Sequence, residues 1–347
     1  MGSLLTYIVK RVLIAIPLTF FILILTFIMS RLMMGDPTYF MFPIGTDPEI
    51  IEETREKLGL NDPWFIQLGI YLTNIFQGEF GVSASVVPGV KVSDVIKIVF
   101  PRTIELMTFP ILLIPILGVK LGKKSAVHRN RLQDGVIRVI ALCGVALPSF
   151  WLAMLLQYFV GKILPDITNY QFSFPFFGYK GIGMPDPPYV TGFRIIDCII
   201  ANDHYLLMDT IKHMILPSIC IILVSFASIT RQTRSSMLEV MEQDYIRTAR
   251  AKGLEEETVI NKHMLRNALI PTSTVIVYQI ASLLAGSFLV ETVFNYNGLG
   301  RMAVESIVKR DYWMINAIVI IFSLIVITGN LLIDILYSIL DPRIRYK

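Results

Sequence analysis

The chain has 347 residues, of which 54% are hydrophobic and 17% charged, with a net charge of +4. That balance, with a mean hydropathy of +0.62, excludes an ordinary soluble domain of this length and fits a chain that crosses a membrane several times. The small positive excess gives no reason to expect a nucleic-acid partner. The dispersed Cys143, Cys198 and Cys220, without a CxxC pair, indicate neither a disulfide framework nor a zinc site.

Lys10 and Arg11 precede an uncharged run from Val12 to Met29. Arg31 and a bulky LMM follow where a signal peptide would carry small residues for cleavage, so the run reads as a retained first span. Arg31 to Arg102 then forms a long segment with its own turn chemistry. Asp47-Pro48 opens a helix that Gly59 closes. Asp62-Pro63 opens a second, with Trp64, Leu68, Tyr71, Leu72 and Ile75 on one side, ending near Gly78. Asp36-Pro37 and the stretch from Gly78 to Gly81 read as turns. Such a segment serves as a cap over the spans, as a docking surface, or as both.

Five further apolar runs follow: Ile104 to Val119, Val139 to Val160, Met214 to Thr230, Leu269 to Val290 and Trp313 to Ile333. Each is near the roughly 20 residues that cross a bilayer. Pro110 and Pro115 in the first are tolerated where neighbouring helices satisfy the freed carbonyls. Just after it, GVKLGKKS (Gly118 to Ser125) approaches a phosphate-binding P-loop. Three residues separate its glycines instead of four, and Lys124 stands where Ser or Thr is required. It reads as a basic membrane exit, and no other stretch supplies a nucleotide site. In the next run Pro148-Ser149 marks a kink, or a pathway position. Gly161 to Lys212, rich in Pro, Gly and aromatics, reads as an irregular surface loop.

Between the fourth and fifth spans lies a charged stretch, Asp244 to Pro271. Tyr245, Ile246 and Ala249 share one helical face, and Gly253 ends that helix. A second helix follows, with Glu255, Glu256 and Glu257 in its first turn and Lys262, His263 and Arg266 later, as the helix dipole favours. Val259, Ile260, Met264, Leu265 and Ala268 give it an apolar stripe. Two short amphipathic helices joined at a glycine make a knob outside the bilayer. Placing the N-terminus inside puts eighteen Lys and Arg on the inner segments against seven on the two short outer loops. Both termini and the knob are therefore expected in the cytoplasm.

Within the spans, Gln279, Ser282 and Gly286 fall on one helical face, as do Ser225, Ser228 and Gln232. Such polar stripes either line a pathway or hydrogen-bond packed helices to each other. Glu105, Glu291 and Asp334 sit toward span ends, so the deep titratable group of an ion-coupled carrier is missing. There is no HExxH, no GxSxG and no Cys/His cluster, so neither catalytic residues nor a metal site is expected.

ARAKGL (Ala249 to Leu254) followed by RNALIP (Arg266 to Pro271) resembles the coupling loop of ABC importer permeases of the oligopeptide/dipeptide type. In the general importer pattern, EAA-x3-G-x9-I-x-L-P, Ala249, Gly253 and Leu265 match. Arg247, Thr248, His263 and Arg266 depart from it, as is typical of the peptide subfamily. RLMMGDP, LGLNDPW, GEFGVS, LPSFW, RQTRSSMLEV, VETVFNYNGLGR and LDPRIR, in order along the chain, are similar to segments of the same family. The resemblance implies one permease domain over residues 1–347, all-α and polytopic, with six transmembrane helices. Within it, 31–102 is a large external segment with short helices, 161–212 a second external loop and 233–270 the cytoplasmic coupling helices. It implies a second homologous permease, two cytoplasmic ATPases that hold ATP and Mg, and an extracytoplasmic substrate-binding protein, all at the cell membrane. Tyr245, Ala249, Arg250, Gly253 and Leu254 would then meet an ATPase, and Gln279, Ser282, Gly286, Ser225, Ser228 and Ser149 would line the pathway for dipeptides or oligopeptides. The same scaffold could import oligosaccharides or a metal chelate. A reading from another class is an ATP-independent secondary transporter or channel.

Overall fold

A backbone taken out of water must satisfy its own N–H and C=O groups, so long apolar runs fold as helices. The computed structural model describes residues 4–34, 38–42 and 45–340. The turn at Asp36-Pro37 and the tail beyond Leu340 lie outside the described residues. The long α1 (Leu4–Met34) is followed by a single turn, α2 (Thr38–Met41), and a helical pair, α3 (Pro48–Lys57) and α4 (Trp64–Phe76). Next come α5 (Val92–Val127), α6 (Leu132–Ala146) and α7 (Ser149–Tyr158), which runs through a π-helical stretch, Phe159–Ile163, into α8 (Leu164–Ile167). After an irregular loop, α9 (Arg194–Ile200) leads to α10 (His204–Met241), α11 (Asp244–Ala251) and α12 (Glu256–Thr258). A second π-helical stretch, Val259–Leu265, joins α12 to α13 (Arg266–Gly286), and α14 (Phe288–Val293), α15 (Leu299–Val308) and α16 (Tyr312–Leu340) complete the described chain.

Five stretches among the described residues are long and apolar enough to cross a membrane: Val9–Met29, Val92–Val127, Ser149–Ile167, His204–Met241 and Tyr312–Leu331. The expected span from Leu269 to Val290 falls mainly on α13, whose 21 residues reach about 31 Å at 1.5 Å per residue.

Several boundaries differ from the sequence reading: the run from Met214 to Thr230 is the middle of α10, which begins at His204 inside the expected irregular loop, and three others shift as well. The run from Ile104 is only the middle of a 36-residue helix that carries Pro101, Pro110 and Pro115 inside it. Arg102 is therefore helical and not part of a loop. The run from Val139 to Val160 is broken, because α6 ends at Ala146 and both Leu147 and Pro148 are extended. A residue before proline is pushed out of the helical region, and Leu147 obeys that constraint. The second knob helix is not separate from the next span, since helix runs without a gap from Glu256 to Gly286.

Helix α10 is the axis on which α5 and α6 pack, and glycines set the approach. A Cβ on Gly118 would lie 2.6 Å from a methyl of Ile229, and one on Gly122 would lie 2.6 Å from Thr233 Cβ and 2.7 Å from the Thr230 carbonyl. On Gly144 it would run into the Leu223 carbonyl. The glycines of the P-loop-like GVKLGKKS are thus contact points between helices. Around them Leu106, Met107 and Ile114 of α5 pack with Met214, Cys220, Phe226 and Ile229 of α10.

The segment between α1 and α5 is built on two matching helix ends. Asp47 caps α3 by accepting from the Glu49 N–H at 3.0 Å, with Pro48 at the first helical position. Gly59 and Gly78, at φ +62° and +76°, close α3 and α4. In each case the glycine N–H and the next N–H reach back to the last free carbonyls, Glu56 and Arg55 for α3, Ile75 and Asn74 for α4. Helix α4 leans on α1 through Tyr71 against Phe27 and Phe76 against Phe20, at ring separations of 5.3 and 5.8 Å. Its other side leaves Trp64 70% exposed.

Two buried carboxylates fasten the loops at this end. Asp311 caps α16 through the Met314 N–H (3.2 Å) and also accepts from Ser83 Oγ (2.6 Å) and the Ser85 and Val86 N–H groups (2.9 and 3.0 Å). Glu291 accepts from Ser287 Oγ, Thr103 Oγ1 and the Arg301 N–H, at 2.7, 3.0 and 3.1 Å. Arg301 lies in the first turn of α15, so the NYNGLGR turn is folded around its own upstream glutamate.

Candidate functional site

The knob starts where α10 ends. In α11 the apolar positions recur at i and i+3, which turns Ile246 and Ala249 to the same side. Both are buried, in a cluster with Ala126 of α5, Met237 of α10, and Val259, Met264 and Ala268. All five members of the expected apolar stripe, Val259, Ile260, Met264, Leu265 and Ala268, belong to this cluster or pack against it. Tyr245, Arg250 and Leu254 face outward. Gly253 sits at φ +75°, with its N–H on the Arg250 carbonyl (2.9 Å) and the Leu254 N–H on the Ala249 carbonyl (3.4 Å). This is the same closure that ends α3 and α4, and a side chain at φ > 0 is strained. A Cβ at Gly253 would touch nothing within 4 Å, so its surroundings within this chain are open.

Across the glycine turn, Arg250 grips Glu256 with two nitrogens, at 3.1 and 2.7 Å. The guanidinium holds the Glu256 carboxyl below the usual carboxylate range. Glu256, in the first turn of the second helix as expected, stays exposed and forms the clasp between α11 and α12. Lys123 of α5 also donates to Asn261 Oδ1 at 3.2 Å. Behind the knob, Asp134 of α6 is fully buried. Its carboxylate accepts from Ser125 Oγ (2.6 Å), the Asn130 N–H (3.0 Å), and Arg234 Nε and an Arg234 Nη (2.9 and 3.1 Å). Arg234 holds the Asp134 carboxyl well below its ordinary range, with the Ser125 and Asn130 bonds helping and burial opposing. That node fixes α5, α6 and α10 to one another beneath the knob.

The polar positions of the spans are brought together only in part. Ser228 Oγ of α10 reaches Gln279 Oε1 of α13 at 3.2 Å, and also the Ser225 carbonyl at 3.1 Å. Ser225 is buried, Ser282 is exposed and Gly286 ends α13. Gln232 turns to Ser236 of its own helix at 3.1 Å. Ser149 begins α7, and its carbonyl lies 3.5 Å from Cys220 Sγ. Of the two side-chain pairs formed, Ser228 with Gln279 bridges two packed helices and Gln232 with Ser236 stays within α10.

Sequence reasoning missed the Asp134–Arg234 and Ser83–Asp311 nodes. Asp134 is the sole acid among the basic residues from His128 to Arg138, and Arg234 lies within RQTRSSMLEV. Those are the signals that could have paired them.

Comparison with known proteins covers the whole of this framework. The family described as binding-protein-dependent transport system inner membrane component matches residues 114–346, and its N-terminal companion matches residues 4–107. The chain is 38% identical over 344 residues to the dipeptide transport system permease protein DppB of Alkalihalophilus pseudofirmus, covering 99% of this chain and 100% of that one. It is 38% identical over 344 residues to the oligopeptide transport system permease protein AppB of Bacillus subtilis, covering 98% and 99%. It is 36% identical over 346 residues to the glutathione transport system permease protein GsiC of Escherichia coli, covering 99% and 100%.

Proposed function

The chain belongs to the binding-protein-dependent transport system inner membrane components, and from that premise we propose that it is one membrane subunit of an ATP-driven importer of short peptides. The relatives' names support the substrate class. The observation that carries the mechanism is the knob. One face is buried in its own chain, the other presents Tyr245, Arg250 and Leu254 outward, and its second half is continuous with a span.

In this reading the knob lies in the cytoplasm with both termini, and six helices cross the membrane. A cytoplasmic ATPase receives Tyr245, Arg250, Gly253 and Leu254, while Ala249 backs this face from inside the chain's own cluster. A second homologous permease completes the pathway, with Ser282, Gly286 and Ser149 as its candidate lining on this side, while the Ser228–Gln279 bridge and the buried Ser225 hold α10 against α13. Two ATPases hold ATP and Mg, and this chain transmits their movement by shifting the balance of inward-open and outward-open states. The segment 31–102 faces outward, where the exposed side of α4 offers a surface to a substrate-binding protein.

The test is reconstitution in proteoliposomes. The isolated chain should neither bind nor hydrolyse ATP, and labelled di- and tripeptide uptake should require ATP, the ATPases and the binding protein together. Gradient-driven accumulation by this chain alone would favour a secondary transporter. Uptake of oligosaccharide or metal chelate instead of peptide would keep the architecture and replace the substrate.

A further inference from the structure

The helix that joins the knob to α13 carries one residue too many for an α-helix. Val259, Met264, Ala268 and Thr272 are all buried along one side of it. The last three recur at the α-helical interval of four, whereas Val259 and Met264 stand five apart. In an α-helix five residues turn through about 500°, which leaves the fifth about 140° around from the first. The π-helical winding from Val259 to Leu265 absorbs the surplus residue. It turns both side chains into one cluster with Ile246, Ala249 and Met237. Such windings are rare and collect at functional sites.

The sequence also fits a second register. With the helix α throughout and α13 held in place, Ile260 takes the slot of Val259, four residues before Met264. Ile260 is β-branched and apolar like Val259, and it already packs against the same cluster. The same advance of one residue brings Glu257 to the place of Glu256, which now holds Arg250 at 3.1 and 2.7 Å. The displaced residue passes into the turn at Gly253, where a Cβ has nothing of this chain within 4 Å. Two exchanges weigh against this register. Lys262 replaces Asn261 opposite Lys123, so a hydrogen bond of 3.2 Å gives way to like charges. Asn261 takes the half-buried place of Ile260. The π register is therefore the resting one in this chain by itself.

We propose that Val259–Leu265 is a register switch of the knob. In one state the surplus residue is wound into the helix. In the other it lies in the glycine turn, and α11 is held on a longer tether. An ATPase that grips α11 and draws it away from the bundle binds the second state better and so shifts the balance toward it. The proposal rests on the knob meeting a nucleotide-driven ATPase, as in the proposed function.

The experiment uses the assembled importer in proteoliposomes. Lys123→Cys/Asn261→Cys reports the π register and Lys123→Cys/Lys262→Cys the slipped one. A short bifunctional thiol reagent joins each pair, and mass spectrometry of the linked peptides gives the yield without nucleotide and with a non-hydrolysable ATP analogue. The analogue should raise the ratio of the 123–262 link to the 123–261 link about tenfold, within the usual range of coupling between two sites. Deletion of Ile260 restores the four-residue interval from Val259 to Met264 and leaves a single register. That variant should assemble and hydrolyse ATP while peptide transported per ATP falls about tenfold, and Ile260→Val should retain coupling. A link ratio indifferent to the analogue, or wild-type coupling in the deletion, would overturn the switch; if the deletion does not assemble, the link ratio decides alone. Wild-type importer without ATP-driven uptake would overturn the importer reading and the switch with it, whereas ATP-driven uptake with an unchanged ratio removes the switch only.

Discussion

Arg234 holds the fully buried Asp134 through two nitrogens, at 2.9 and 3.1 Å, across the gap between α10 and α6. Breaking a buried pair from one side leaves a charge uncompensated. Arg234 is 22% exposed, so Asp134→Asn should cost about 2–3 kcal/mol, below the range for fully buried pairs. The double variant Asp134→Ala/Arg234→Ala should lose less than the sum of its singles. The depressed Asp134 pKa gives a stability that is complete above the unfolded value of about 4 and is lost as the pH falls below it. Thermal midpoints in detergent from pH 7 to 3 check both, and a midpoint in Asp134→Asn equal to wild type would remove the node from the account.

Gly253→Val places a β-branched residue at φ +75°, at a cost of about 1–2 kcal/mol. A Cβ there has nothing of this chain within 4 Å, so insertion and abundance should stay near normal. ATPase recovery on affinity purification, or peptide transported per ATP hydrolysed, should fall. Gly253→Asn, whose side chain tolerates this conformation, should retain more of both than Val. Wild-type values for Gly253→Val would refute the coupling role.

Ala249→Glu acts differently from a surface change, because Ala249 is packed among Met237, Val259 and Met264. It should reduce folded protein as well as coupling. Glu256→Gln breaks only an exposed clasp to Arg250, worth about 0–1 kcal/mol, and should leave abundance intact. Size-exclusion profiles of the two variants separate these outcomes.

Gly122→Ala should lose about 1–3 kcal/mol, since even a methyl group meets Thr233 and the Thr230 backbone of α10. Gly135→Ala in α6 meets nothing within 4 Å and should be neutral or stabilising by up to about 1 kcal/mol. Equal thermal midpoints for the two would contradict the close approach of α5 and α10.

Ser228→Ala should cost about 0.6 kcal/mol, the typical worth of a hydrogen bond between membrane helices, and leave transport unchanged. A large loss of uptake with stability preserved would instead place Ser228 in the pathway.

The helical class and most of the knob were legible in the sequence because they rest on local physics. Charge-free runs announce spans, and Gly59, Gly78 and Gly253 announce helix ends wherever a short apolar pattern stops. What stayed hidden depends on pairs distant in sequence. Ser83 finds Asp311, Thr103 finds Glu291 and Asp134 finds Arg234 only after the helices have packed. GVKLGKKS could be set aside as a P-loop from its spacing, but that Gly118 and Gly122 admit another helix shows only once α10 is packed against them.

The helix from Glu256 to Gly286 has no break between the knob and the interior of the bundle. At 1.5 Å per residue it is a rod of about 45 Å. Swinging such a rod by about 10° about its middle carries each end through about 4 Å in opposite directions. Pro271 and the π-helical stretch Val259–Leu265 are the two places along it where a bend is to be expected. Where neither bends, a push at the Val259 end emerges at Ser287, beside Glu291, as a reversed stroke of similar size. In the proposed coupling the helix would act as a rocker arm, whose fulcrum is set by whatever grips its middle third.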